Sequence, residues 1–179
     1  MNSDSASALK ICLLGEYGVG KSSLAERWVF DRFSALYKST IGVRTLACTA
    51  VWRSDQRRQR CVVWDVVGEP VLSELTRRYM VGADIALFVA DGLRPRTLTA
   101  ALTLAAQSGA AFPTGMKRAL VLSKLDLRND WQIDQADIDH AGNQGMPLAM
   151  TSSRDVLGFD SLADIMGFSI EGADQAHRV

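Results

Sequence analysis

The sequence predicts an α/β fold: an open, mostly parallel six-stranded sheet with one antiparallel strand and helices on both faces. Three observations lead there. Short continuous apolar runs at 9–14, 85–90 and 119–123 suit strands buried on both faces. Between such runs lie stretches with apolar residues at helical spacing, such as Leu24, Trp28 and Val29. Strands and helices alternate along the chain, which calls for right-handed crossovers within one sheet.

Residues 9–14 form a strand that stops at Gly15, and 21–33 a helix with Glu26, Arg27 and Asp31 on its polar face. Residues 43–52 and 60–67 are β-branched, partly alternating runs on either side of the polar stretch 53–59, so they pair as a hairpin with an exposed tip. A helix at 72–80, a strand at 85–90, an alanine-rich helix at 98–108 and a strand at 119–123 follow. The chain closes with a helix at 131–141, a short strand at 147–150 and a helix at 156–167. Residues 1–8 read as a flexible N-terminus, 9–168 as the single domain and 169–179 as a frayed tail. Ligands of such sheets bind beyond the carboxyl ends of the strands, which places the loops at 15–20, 65–69, 91–94 and 123–126 along one edge.

Composition narrows the function classes. A length of 179 residues fits one domain, and 47% apolar residues exclude disorder as the main state. Lys plus Arg equals Asp plus Glu at 20 each, so no overall field attracts nucleic acid or an acidic membrane. Cys12, Cys48 and Cys61 lack metal-like spacing and point to a reducing compartment, and His140 and His177 lack paired ligands. No apolar run approaches the roughly 18 residues that span a bilayer, so neither a signal peptide nor an integral membrane segment is expected.

The chemistry is concentrated between Gly15 and Ser22. Gly15-Glu16-Tyr17-Gly18-Val19-Gly20-Lys21-Ser22 matches GxxxxGK[ST] after a strand and before a helix, the context of a phosphate loop. Gly15, Gly18 and Gly20 let the backbone curl so that the N–H groups of Val19 to Ser23 face one anion, and the helix N-terminus adds positive potential. Lys21 supplies a full charge to the terminal phosphates and the Ser22 hydroxyl a ligand for Mg²⁺. The same letters also describe a glycine-rich turn with a solvated lysine. Asp65 ends an apolar run where a carboxylate faces the loop, so it either serves as a metal ligand or caps the following helix. The fold expected is therefore that of a P-loop NTPase.

Further along, Tyr37-Lys38-Ser39-Thr40-Ile41-Gly42-Val43, Trp64-Asp65-Val66-Val67-Gly68-Glu69 and Arg78-Tyr79-Met80-Val81-Gly82-Ala83-Asp84 arrive in an order and spacing that resemble the Ras superfamily of small GTPases, its Rab branch above all. The resemblance covers nearly the whole chain and implies the small G-protein fold, with GTP or GDP and Mg²⁺ as ligands. It implies that Phe33 packs on the guanine base, that Thr40 joins Ser22 and Asp65 at the metal and senses the γ-phosphate, and that the Gly68 N–H contacts that phosphate. Ser123-Lys124-Leu125-Asp126 would be the base-reading loop, with Asp126 accepting two hydrogen bonds from the guanine edge. Lys124 would lie along base and sugar, and Ser152, Ser153 and Arg154 would offer backbone N–H groups to the guanine oxygen. Taken alone, the SKLD stretch is equally an ordinary strand-end turn.

Four positions depart from the family. Tyr17 stands where a small residue is usual and crowds the γ-phosphate. Glu69 replaces the glutamine that orients the attacking water, and an ionised carboxylate only accepts hydrogen bonds. Pro70 pushes Glu69 toward an extended backbone, and Ser123 replaces an amide in the base loop. With Lys21, Glu69 and Tyr17 as the residues that govern catalysis, the expectation is a slow GTPase switch with segments near 34–43 and 65–80. Its rival is a non-catalytic nucleotide-binding scaffold locked in one state. An ATP-using kinase or ATPase finds no arginine-rich lid in support.

The resemblance also implies effector or regulatory proteins at the switch surface, an exchange factor and an activating protein, with the chain itself monomeric and no nucleic acid involved. Arg53, Arg57, Arg58 and Arg60 crowd the hairpin tip, either as a solvated tip or as a surface for a partner or an anionic lipid. The chain ends Ala176-His177-Arg178-Val179 with no lipidation motif, so a cytoplasmic location is expected, with any membrane association peripheral.

Overall fold

Seven strands form one sheet in the order β6-β5-β4-β1-β3-β2-β7. The computed structural model describes residues 7–35, 40–112, 115–143 and 145–172. Strand β1 (Leu9–Leu14) leads through the glycine loop into helix α1 (Lys21–Phe30), and β2 (Val43–Trp52) pairs antiparallel with β3 (Arg58–Val66). Then follow α2 (Glu74–Met80), β4 (Ile85–Asp91), α3 (Pro95–Ala111), β5 (Lys117–Ser123), α4 (Gln135–Gly142), β6 (Leu148–Met150), α5 (Phe159–Met166) and β7 (Phe168–Gly172). Strands β1, β3, β4, β5 and β6 are mutually parallel.

Two apolar layers hold the helices to the sheet, and the period of two along β4 shows how they are divided. Ile85, Leu87 and Val89 face a core with Leu24, Trp28 and Val29 of α1 and Leu162 and Met166 of α5. Ala86, Phe88 and Ala90 face the other side, against Leu98, Ala101, Leu104 and Ala105 of α3 and Ile138 of α4. All seven residues of β4 are buried, as a strand covered on both faces requires. The carboxyl ends of β1, β3, β4 and β5 therefore open on one edge, beside the point where the chain order of the strands reverses at β1.

The structure corrects the expected fold in its strand count. The sheet has seven strands rather than six; β2 alone runs against the others, as expected, and the added β7 pairs antiparallel with β2 and so points the same way as the parallel strands. The added strand starts at Phe168, the last residue of the expected domain, and runs into residues expected to be tail. Gly167 in the left-handed region (φ 84°) ends α5 and turns the chain, after which Phe168 to Gly172 pair with Cys48 to Trp52. Phe168 is fully buried and its ring lies 5.3 Å from that of Trp52, so the strand is held by packing as well as by its ladder. Residues 173–179 and 1–6 lie outside the described residues. Helix α1 ends at Phe30, three residues before the expected boundary, capped by Asp31 in the left-handed region (φ 51°), and α2 starts only after Ser73.

Candidate functional site

At the end of β1 the backbone does what its glycines permit. Gly15 has φ 144°, and a Cβ there would lie 2.2 Å from the Val89 carbonyl oxygen, so a side chain is excluded. Gly20, at φ 98°, precedes α1 with no side-chain cap, which leaves the first amides of the helix directed at the loop. Lys21 folds back into that loop: its Nζ donates to the carbonyls of Gly15 at 2.9 Å and Glu16 at 2.8 Å. Burial lowers its pKa from 10.5 to about 8, with Asp65 pulling it up and Arg94 pushing it down.

Next to this loop three hydroxyl and carboxylate groups converge from three elements. The Ser22 Oγ lies 2.9 Å from the Thr40 Oγ1, which donates to the Asp65 Oδ2 at 3.4 Å. Asp65 is fully buried, and its Oδ1 has no hydrogen-bond partner. Burial raises its pKa, against the pull of Ser22, Arg44, Lys21 and Thr40. Hard oxygen donors around an unsatisfied carboxylate oxygen fit Mg²⁺. The alternative role for Asp65, capping the next helix, belongs to Ser73, whose Oγ accepts from the Thr76 N–H at 3.2 Å.

The base-loop segment is wired to the phosphate loop. Ser123 Oγ donates to the Val19 carbonyl at 2.5 Å, so the serine points at the phosphate loop. Lys124 Nζ pairs at 2.7 Å with the buried Asp91, which also takes the Arg94 Nε at 2.8 Å, and the Arg94 Nη2 donates to the Tyr17 carbonyl at 3.2 Å. Trp131 Nε1 donates to the Lys124 carbonyl at 2.9 Å. The Trp131 ring fills the space left by Gly92, where a Cβ would lie 2.1 Å from it. Asp126 Oδ1 accepts from the Ser152 Oγ at 2.7 Å, and Arg27 Nε holds the Ser153 carbonyl at 2.7 Å.

One cavity of about 880 Å³ joins these parts. Gly18, Gly20, Lys21, Ser22 and Ser23 line one side, Phe33, Lys124, Asp126, Ser153 and Arg154 another, and Tyr17, Thr40, Gly68 and Ser123 complete it. Val19, Asp65 and Ser152 are fully buried behind the wall. The expectation that Ser152 offers its N–H to a base is corrected, because that N–H donates to the Leu157 carbonyl at 3.0 Å in a local bridge. Its hydroxyl instead holds Asp126.

Glu69 is turned away from the cavity. Its Oε2 accepts from the Oγ1 of buried Thr76 at 2.8 Å, and its N–H donates to the Gly15 carbonyl at 3.1 Å. Gly68 is pressed against the loop, since a Cβ there would lie 2.4 Å from the Tyr17 nitrogen. Tyr17 itself is exposed at the cavity mouth. The stretch Tyr37-Lys38-Ser39 lies outside the described residues, as does His177.

Sequence reading missed Asp91, Arg94, Trp131, Thr76, Glu26 and Arg44, all in or beside this site. Only Asp91 and Arg94 carried a signal, their place at a strand end on the ligand edge. The arginine tip resolves toward ion pairing. Arg53 pairs with Asp164, Arg57 with Asp55 at 3.8 Å and Arg58 with Glu171 at 2.5 Å, which neutralises much of its charge. Among the described residues no helix is long and apolar enough to cross a membrane.

A family model for Roc, the Ras-of-Complex domain of DAPkinase, matches residues 10–126, from β1 through the base loop. The chain belongs to the Ras superfamily of small GTPases. Over 167 residues it is 26% identical to Ras-related protein Rab-22A of Canis lupus familiaris, covering 93% of this chain and 85% of that protein. It is 31% identical over 140 residues to Ras-related protein Rab-7L1 of Rattus norvegicus, covering 73% and 65%. Against Ras-related protein Rab-32 of Mus musculus it is 33% identical over 140 residues, covering 73% and 62%. Its relatives are thus Rab proteins, and this Rab-like GTPase domain shares with them the GTP-binding switch as its general function.

Proposed function

We propose that this GTPase domain binds GTP and GDP with Mg²⁺ in the cavity beyond β1 and hydrolyses GTP slowly. The observation that carries the reading is the single cavity that has Lys21 and the uncapped N-terminus of α1 at one side and Asp126 at another. The first set is built for an anion, and the carboxylate suits two adjacent N–H donors of the kind a guanine edge offers and an adenine edge does not.

In this reading the amides from Gly18 to Ser23 cradle the phosphates, and Lys21 exchanges its two carbonyl partners for phosphate oxygens. Gly15 supplies the curl and Val19 the anchor for Ser123. Ser22, Thr40 and Asp65 would hold Mg²⁺, which would supply positive charge to the terminal phosphates. Phe33 covers the base, Lys124 lies along it, and Ser152 orients Asp126, while Ser153 and Arg154 offer their backbone N–H groups to the guanine oxygen. Thr40 and the Gly68 N–H sense the γ-phosphate and order the segments near 34–43 and 65–80, which present the state to effector and regulatory proteins. An exchange factor and an activating protein are the partners such a switch needs.

Hydrolysis is slow because Glu69 is bonded to Thr76 and Tyr17 occupies the mouth where water and a trans-acting arginine must enter. Those two contributions matter, since an arginine of that kind adds about 10³–10⁵ in rate. The same Glu69–Thr76 bond also favours the second reading, a scaffold that binds nucleotide without turnover. Calorimetric titration with GTP, GDP and ATP in Mg²⁺, followed by single-turnover phosphate release, tests both. Selective guanine binding with release over hours supports the switch, and selective binding with no release supports the scaffold. Equal affinity for ATP removes the guanine assignment.

A further inference from the structure

Among the described residues, the buried side-chain polar atoms without a hydrogen-bond partner all fall on one pair: Nε and Nη2 of Arg44 and Oδ1 of Asp65. The two residues stand directly opposite each other in the β2–β3 ladder. They nevertheless do not close into a bidentate pair. Arg44 Nε stays 3.8 Å from Asp65 Oδ2, beyond hydrogen-bond reach, because its Nη1 is held at 2.7 Å by the Glu26 Oε1 of α1. Glu26 and Arg44 line the same cavity as Ser22 and Thr40. The guanidinium is thus near enough to neutralise Asp65 and too far to occupy its oxygens.

We propose that Arg44 sets the affinity of the metal site: a resident cation that compensates Asp65 when no metal is present and opposes the arrival of a divalent ion, with Glu26 fixing how strongly. The charged groups around Asp65 make this the decisive term. Lys21 from α1 also faces it, but two backbone carbonyls hold that ammonium, whereas Arg44 has a single anchor and a free Nε/Nη2 edge turned to the carboxylate. A fixed positive charge beside a divalent site weakens binding by a Coulomb term that the metal itself doubles. Removing that charge therefore strengthens metal binding and, in the same molecule, strips the buried carboxylate of its compensation. A merely structural arginine would not move those two quantities in opposite directions.

The inference rests on the proposed metal site at Ser22, Thr40 and Asp65. The test uses the full chain loaded with GDP, with Mn²⁺ as the probe followed by electron paramagnetic resonance, and the melting temperature in EDTA as the second readout. Arg44→Gln is expected to bind Mn²⁺ about tenfold more tightly and to melt lower in EDTA, and Arg44→Lys, which keeps the charge, to stay within about threefold of the parent. Glu26→Gln, which leaves the guanidinium uncompensated, is expected to weaken Mn²⁺ binding severalfold. It carries the test on its own if the arginine variant does not fold. Unchanged or weaker Mn²⁺ binding in Arg44→Gln, or unchanged binding in Glu26→Gln, overturns the role of Arg44. No Mn²⁺ binding by the parent GDP complex instead overturns the metal site itself.

Discussion

Thr76 shows how a single hydroxyl governs the residue that the family pattern marks as catalytic. Its Oγ1 is buried and donates to Glu69, so removing the carboxylate leaves a buried donor unpaired and takes nothing from the chemistry. Glu69→Ala is therefore expected to lower stability by about 1–2 kcal/mol in a urea titration while phosphate release in a single turnover stays within about twofold. A large fall in the release rate would place Glu69 at the water after all. Glu69 was legible from the sequence because its neighbours Asp65 and Gly68 fix the frame; its tether was not, because Thr76 lies in the first turn of α2 and no spacing rule connects the two. Cys12 permits a second test. Burial, opposed by Lys10, pushes its pKa from 9.0 up to about 11. Between these values the folded chain keeps a proton that the unfolded chain releases, so this group's contribution to stability is full below pH 9 and is lost as pH rises toward 11. All three cysteines are buried and free, so thiol labelling followed by mass is expected to mark none at pH 8 in buffer and three in denaturant.

Among the elements, β7 carries the clearest structural consequence. It covers the half of β2 between Cys48 and Trp52, and the half nearer the cavity, Val43 to Ala47, is paired on its other edge with β3. Phe168 anchors the strand in the α1–α5 core, and Phe168→Ala is expected to cost about 3–5 kcal/mol in chemical unfolding. Ile170→Ala, at a half-buried site on the same strand, is expected to cost no more than about half of that. Equal losses would mean that the ladder, and not the aromatic anchor, holds β7. Every other strand was legible: apolar runs of four or more residues mark β1, β3, β4 and β5, partial alternation marks β2, and the short apolar stretch 148–150 marks β6. In β7 only Phe168 and Ile170 are apolar, too few to show a period, and the decisive signal is tertiary, the cavity that Trp52, Leu162 and Met166 leave for a ring. Helix ends were less legible than helix existence, since Asp31 and Ser73 terminate their helices by backbone conformation and side-chain capping that several neighbouring residues could have supplied.

Across the whole molecule the phosphate loop and the base loop belong to different strands, and a few polar contacts join them: Ser123 to Val19, Lys124 to Asp91, and Arg94 to both Asp91 and Tyr17. A ligand that touches both loops therefore reports on the sheet from β1 to β5 and not on one loop alone. Binding to the folded state only adds about 2.7 kcal/mol at a free ligand concentration a hundred times the dissociation constant. For a domain of this size each kcal/mol raises the melting temperature by about 2–4 °C, so saturating Mg²⁺ and GDP is expected to raise it by about 5–10 °C. ATP at the same concentration is expected to give less than about 2 °C, because adenine lacks the paired N–H donors that Asp126 accepts and the folded state gains no base contact. In Asp126→Ala the GDP shift is expected to fall toward the ATP value, while inorganic triphosphate, which engages only the Lys21 end, keeps its smaller shift. Loss of the triphosphate shift in that variant would show that the two ends of the cavity do not act separately, and the division of labour between Lys21 and Asp126 would not stand.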